Sequence, residues 1–277
     1  MEWTVEEEDN LLSSLGKKYP DSSKATLRKM VAEGRVVVGR AVATSPLHPL
    51  MRGQKVKVLA KKSFLEGDVK LLYSDKDIAI VDKPYGLLTV ATDFQADKTM
   101  HALLKRHFPK ARVFPVHRLD QDTSGLLVFA LNEGARDFLK EEFEKRRPKR
   151  RYLAVVEGQP DPSEGEWRSY LREDANYVVK NTSDQTEGKL AVTHYKTVKR
   201  GRTFSLLELK LETGRKNQIR VHCQMAGVPV VGDKKYGSTK NPFHRLMLHA
   251  FELTLNHPKT GKSMKFESAV PEEFYSI

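Results

Sequence analysis

The stretch His117-Arg118-Leu119-Asp120-Gln121-Asp122-Thr123-Ser124-Gly125-Leu126-Leu127-Val128-Phe129-Ala130 sets a polar loop directly against an apolar run. The run from Gly125 to Ala130 is strand-length rather than helix-length, so it predicts a buried strand. Asp120 sits in the loop ahead of it. An aspartate in such a loop is more often a turn former or a helix cap than a catalyst. Thr123-Ser124 offers a hydroxyl nucleophile, but no strand-elbow pattern surrounds it.

Working outward, strands and helices mix without regular alternation. Asp77 to Pro84 reads as a strand ended by proline, and Tyr152 to Val156 and Phe204 to Leu209 read as further strands. Asp97 is expected to cap a helix with Met100, Leu103, Leu104 and Phe108 on one face. A second helix carries Ala135, Phe138, Leu139 and Phe143, and a third, opened by Gly214, carries Ile219, His222, Cys223 and Ala226. Runs of strands broken by a few helices predict an α+β domain with a mixed, largely antiparallel sheet.

The polar stretch from Lys61 to Val69 suggests a boundary. Residues 1–62 are expected to form a small unit, 63–69 a linker and 70–277 the larger domain. In the first unit, Leu11, Leu12 and Leu15 mark one helix. Ser22 or Ser23 caps another, with Leu27, Met30 and Val31 on its apolar face and Gly34 as its stop. Val36 and Val38, a Gly39-Arg40 turn, and Val56 and Val58 complete a helix-turn-strand pattern. Lys24, Arg28, Lys29 and Arg35 place cations on it. Such charges usually mark a solvated helix face, but small RNA-binding modules use the same arrangement.

The chain has 277 residues, of which 39% are hydrophobic and 30% charged, enough for a packed core beneath a strongly hydrated surface. No apolar run approaches the roughly 18 residues that span a bilayer. The acidic first residues, Glu6-Glu7-Glu8-Asp9, lack the pattern of a signal peptide. The single cysteine, Cys223, excludes an internal disulfide and points to a reducing compartment, the cytoplasm. The net charge of +12 points to a polyanion, because Lys and Arg gain affinity by releasing counterions from phosphates. His222 and Cys223 are adjacent on a helix, so their side chains diverge, which argues against a Cys–His dyad or a zinc site. No GxxxxGK or GxGxxG loop suggests a nucleotide cofactor.

Several motifs occur together. His117-Arg118-Leu119-Asp120, followed by Thr123-Ser124-Gly125-Leu126-Leu127-Val128, resembles the signature of the RluA family of pseudouridine synthases. Val81-Asp82-Lys83-Pro84-Tyr85-Gly86-Leu87 is similar to that family's first strand and loop, and Arg151-Tyr152-Leu153-Ala154-Val155-Val156-Glu157-Gly158 to its tyrosine motif. Thr213-Gly214-Arg215-Lys216-Asn217-Gln218-Ile219-Arg220-Val221-His222 resembles its third motif. Gly232-Asp233, Tyr236-Gly237, Leu248-His249-Ala250 and His257-Pro258 continue the likeness to the C-terminus. Asn217 departs from the more usual histidine and reads as an outer position. The run from Ser23 to Gly39 resembles the S4 RNA-binding domain, with Arg40 in place of a small turn residue and Pro46 and Pro49 where a strand should begin.

The resemblance implies a cofactor-independent, monomeric enzyme that breaks the uridine N1–C1′ bond, rotates the base and rejoins it through C5. It implies Asp120 as nucleophile, Arg220 as its ion partner and Tyr152 stacked on the target base, where it also helps remove the C5 proton. Arg118, Ile219 and Leu248 are implied to contact the flipped uridine. Lys149, Arg150 and Arg215 are candidate phosphate contacts, and the Lys145 to Arg151 run reads equally as a charged connector. The expected substrate is structured RNA, by family analogy large-subunit ribosomal RNA, with transfer RNA as an alternative. A catalytically silent RNA-binding or ribosome-assembly protein is the competing reading. Glycoside hydrolysis would need a second carboxylate opposite Asp120, and Asp122, two residues on, has no evident reason to face the same pocket.

Overall fold

The apolar run after Asp120 forms the strand Ser124–Ala130, buried along its whole length. Leu126, Val128 and Ala130 pack into one layer, while Leu127 and Phe129 pack into the other, as the two-residue period of a strand requires. The computed structural model describes residues 2–32, 35–39, 41–43, 45–58, 63–65, 69–91 and 98–277; of Lys29, Ala32, Val42 and 63–65 it describes the backbone alone. Gly34, Arg40 and Asp97, expected at a helix stop, a turn and a helix cap, lie outside these residues.

The chain divides into two compact units, Met1–Ser63 and Phe64–Ile277. In the first, helices Leu11–Lys18 and Lys24–Ala32 accompany a four-stranded sheet ordered Glu2–Thr4, Lys55–Val58, Val36–Val38, Ala41–Val42. Asn10 caps the first helix by accepting from the Ser13 amide, and Ser23 accepts from the Thr26 amide at the start of the second. Leu11, Leu15, Leu27, Val31, Val36 and Val56 form its core. Pro49–Leu50 pairs with Asp9–Asn10 as a short ribbon.

The second unit is built on a long sheet. Its order is Val179–Thr182, Glu164–Glu173, Lys189–Arg200, Phe204–Leu211, Lys149–Glu157, Leu248–Asn256, Ser124–Ala130, Ile78–Lys83, Val69–Ser74 and Ser63–Leu65. Among the described pairings of this sheet, only Ser124 and Gly125 against His249 and Ala250 run parallel. Gly125 permits that pairing. Its φ is +113°, and a Cβ there would lie 2.2 Å from the Ala250 carbonyl oxygen. Helix Glu133–Glu144 covers one face through Ala135 and Leu139. Helices Met100–His107 and Gln218–Met225 pack into the other, larger core through Met100, Leu104, Ile219 and Cys223. The sheet is thus mixed and mostly antiparallel.

Three local expectations are corrected. Ser63–Leu65, in the stretch read as a linker, is a short strand. The helix starting at Met100 is capped by Thr99, whose hydroxyl oxygen accepts from the Ala102 amide. Gly214 does not open a helix; that helix begins four residues later, at Gln218. Gly214 lies in the loop ahead of it, where an added Cβ would meet the Arg150 Nη1 at 2.5 Å.

Candidate active site

The Asp120 loop is pinned on both sides. Thr89 Oγ1 donates to the Leu119 carbonyl at 2.8 Å and accepts from the Leu119 amide at 3.2 Å. On the other side, the Lys83 ammonium donates to the carbonyls of Gln121, Leu87 and Pro84 at 2.7, 2.6 and 2.9 Å. Lys83 is fully buried. Burial pushes its pKa down to about 7, against the pull of Asp122 and Asp120. Three carbonyl acceptors match the three N–H donors of an ammonium, whereas a neutral amine would leave one carbonyl facing a lone pair. The Thr123 amide closes a turn onto the Asp120 carbonyl at 3.1 Å. The Asp120 carboxylate is therefore carried by a fixed backbone.

Helix Gln218–Met225 presents Arg220 to that carboxylate, with Nη1 3.4 Å from Asp120 Oδ2. The tighter partner is Asp233, which receives Nε and Nη2 at 2.6 and 2.7 Å in a bidentate pair. The side chain of Asp233 is 1% exposed, that of Arg220 11% and that of Asp120 22%. Burial works against the Arg220 charge, but Asp233 first and Asp120 second outweigh it and raise its pKa above the usual guanidinium value. The cation also lies 4.9 Å from the centre of the Tyr236 ring.

Asn217 is an inner residue, not an outer one. It has a left-handed φ of 53° and its side chain does not cap the helix. Instead its amide donates to the Tyr236 hydroxyl at 2.8 Å and its oxygen accepts from Arg220 Nη1 at 3.3 Å. The neighbouring Gln218 ties the 213–215 loop to the sheet. It accepts from the Thr213 hydroxyl and the Arg215 amide and donates to Val192 O and Thr193 Oγ1.

Tyr152 and Arg150 lie on one face of strand Lys149–Glu157, and both line the pocket containing Asp120. Arg151, between them, turns to the other face, where Glu208 and Glu252 bind it. Burial raises the Tyr152 hydroxyl pKa, with Arg150 opposing and Asp120 reinforcing the shift, so the phenol stays neutral.

The pocket brings together Asp120, Tyr152, Arg220, Arg118, Ile219 and Leu248, together with Arg150 and Arg215. Lys149 does not line it. Lys24, Arg28, Lys29 and Arg35 belong to the first unit, where Lys24 and Arg28 are exposed. Arg118 is exposed, and among the described residues no acid pairs with it. Asp122 is exposed as well.

Three histidines of the motifs, His222, His117 and His249, are desolvated among packed side chains. His222 bonds Ser169 and Thr193, and burial lowers its pKa to about 4. His117 stacks on Phe143 and accepts the Val128 amide through Nε2; burial, then Arg150, lowers its pKa to about 3. His249 meets Ser124 at 2.8 Å and is lowered to about 4, first by burial. Burial pushes the Cys223 thiol pKa up, as for an inert core cysteine. Sequence reading missed the roles of Asp233, Thr89 and Lys83. Lys83-Pro84 and Gly232-Asp233 stood in recognised motifs, but nothing in their spacing says that one holds the Asp120 loop and the other Arg220.

Comparison with known proteins identifies the family. Residues 77–225 match the family described as RNA pseudouridylate synthase. Ribosomal large subunit pseudouridine synthase D of Neisseria meningitidis serogroup A is 32% identical over 95% of this chain and 76% of its own length. The protein of the same description from Escherichia coli K12 is 31% identical over 95% of this chain and 88% of its own. The structure of human RNA pseudouridylate synthase domain containing 1 superposes with a TM-score of 0.62 at 28% identity, covering 76% of this chain and 86% of that one. With an aspartate, an anchored arginine and a buried tyrosine meeting in one pocket, the chain belongs to the RNA pseudouridine synthase family.

Proposed function

We propose that this enzyme converts specific uridines of large-subunit ribosomal RNA to pseudouridine, with Asp120 as the nucleophile. The observation that carries the proposal is the Asp120–Arg220–Asp233 arrangement at a pocket walled by Tyr152. Arg220 orients the Asp120 carboxylate, and Asp233 keeps Arg220 in place. The uridine leaves its stack and enters between Tyr152, Ile219 and Leu248, at a cost of about a few kcal/mol. Arg118, exposed at the pocket, fills the space it vacates. The N1–C1′ bond breaks with Asp120 engaged on the nucleotide, the base turns within the pocket, and C5 bonds to C1′. The C5 proton is then lost and N1 is left protonated, so the reaction is an isomerisation with no net uptake of atoms. It runs without a cofactor, in a cytoplasmic monomer.

The first unit serves as an S4-like RNA-binding domain, with Lys24, Arg28, Lys29 and Arg35 as phosphate contacts. Support comes from the helix Lys24–Ala32, on which Lys24 and Arg28 are exposed, followed in the chain by the strand Val36–Val38. No helix among the described residues is long and apolar enough to cross a membrane.

The test is to map pseudouridines in cellular RNA with and without the protein, and to incubate the purified protein with unmodified large-subunit transcript. The proposal expects defined large-subunit positions to lose the modification in its absence and to regain it in vitro. Loss confined to transfer RNA, or no change, would overturn the substrate.

A further inference from the structure

The run from Lys145 to Arg151 splits into two sets of cations. Lys145 pairs with Glu141, Arg147 with Glu142, and Arg151 with Glu208 and Glu252. No ion pair among the described residues neutralises Arg146 or Arg150. These two line a cleft of about 580 Å³ beside the Asp120 pocket, together with Arg118, Lys140 and Arg215. None of those three has a carboxylate partner among the described residues either, and Glu144 is the only acid on the lining. The cleft and the pocket share Arg118, Arg150, Gly214 and Arg215.

Several details show cations held in place without an anion. The Arg150 guanidinium lies 5.6 Å from the centre of the Phe143 ring, and its Nε is buried without a partner among the described residues. Arg146 follows the helix Glu133–Glu144 in the left-handed region, at φ 57°, its amide bonded to the Phe143 carbonyl. The Arg215 side chain is fixed by the Leu190 carbonyl, and burial first and Arg146 second lower its pKa. Like charges crowd here, with Glu144 the one acid on the lining among the described residues.

We infer that this cleft is a phosphodiester subsite, which takes the RNA backbone next to the target uridine. Arg150 and Arg215, shared with the pocket, meet the phosphate adjoining the flipped nucleotide; Arg146 and Lys140 meet the backbone beyond it. The inference rests on the RNA substrate proposed above and adds which cations of the basic run bind it. Paired Lys145, Arg147 and Arg151 are excluded, because their charge is already met by glutamates.

The test compares two full-length double variants that remove equal charge, Lys140→Gln/Arg146→Gln and Lys145→Gln/Arg147→Gln. The probe is unmodified large-subunit ribosomal RNA transcript, with affinity measured across a salt series. For the first variant the subsite predicts affinity about tenfold lower near physiological salt, and a log–log salt slope shallower by about 1 to 2. The second is expected to stay within about twofold of the parent, with a parental slope. Equal losses in the two variants, or an unchanged first variant, overturn the subsite. If the parent protein converts no uridine while the first variant still loses affinity selectively, the subsite stands and the proposed reaction fails.

Discussion

Two sets of cations line the pocket, and they are built on opposite principles. Arg220 is satisfied before any substrate arrives, by the bidentate Asp233, the Asn217 oxygen and the Tyr236 ring. Arg118, Arg150 and Arg215 have no carboxylate among the described residues. The difference fits the tasks proposed for the two sets. A group that orients a reacting carboxylate must not move, so its charge is fixed by buried partners at the cost of desolvation. Groups that hold a polyanion gain by exchanging counterions, and an acid beside them would cancel that gain.

The comparison breaks most visibly at Asp233. Asp233→Ala leaves the buried Arg220 with Asp120, at 3.4 Å, as its one carboxylate partner among the described residues. Removing one partner of a buried pair is expected to cost about 3–5 kcal/mol, and a misplaced Arg220 about 100-fold in turnover at saturating RNA. Chemical denaturation and single-turnover rates measure the two effects. Turnover within about tenfold of the parent would mean that the anchored arginine is dispensable.

Acid separates the two sets next. His222 and His249 have folded pKa values lowered to about 4 by burial, so the folded protein refuses protons that the unfolded chain accepts near 6.5. The stability they contribute is complete above about pH 6.5 and is lost as pH falls toward 4, about 3 kcal/mol for each histidine. Denaturation midpoints should therefore fall through this window, while RNA affinity of the protein still folded does not weaken. Constant stability down to pH 4 would contradict the buried-neutral assignment.

A smaller effect is expected at Lys83. Lys83→Met removes the donor from three carbonyls around the Asp120 loop. The expected cost is about 1–3 kcal/mol, with a loss of about tenfold or more in turnover and an unaltered RNA affinity. Loss of affinity alone would place Lys83 with the binding cations instead. The smallest effect belongs to Lys145, an exposed residue paired with Glu141 four positions earlier. Lys145→Ala should change stability by about 0.5 kcal/mol or less, read from the thermal midpoint.

Much of this arrangement was legible in the chain. The strand Ser124–Ala130 followed from an uninterrupted apolar run, and Asp120, Tyr152 and Arg220 from motifs whose order fits one pocket. Asp233 was not legible as a partner because it comes from a loop 13 residues after Arg220, a distance without periodic meaning. Asn217 was misread because a helix-opening position normally faces its own backbone, whereas its left-handed φ turns the side chain inward. The helix start at Gln218 was misplaced for a related reason. Gly214 signals a chain break, but the Arg150 guanidinium that lies against it comes from a distant strand, a tertiary fact. The Lys145 to Arg151 run reads in sequence as uniform charge. Only the sheet and the neighbouring glutamates separate neutralised cations from free ones.

The most direct test concerns Asp120 itself. Asp120→Asn keeps the side-chain shape and leaves Arg220 bound to Asp233, so folding and RNA affinity should remain within about twofold of the parent. The account predicts that this variant binds unmodified large-subunit RNA and forms no pseudouridine in it. Pseudouridine appearing at a rate near the parent's would contradict Asp120 as the nucleophile.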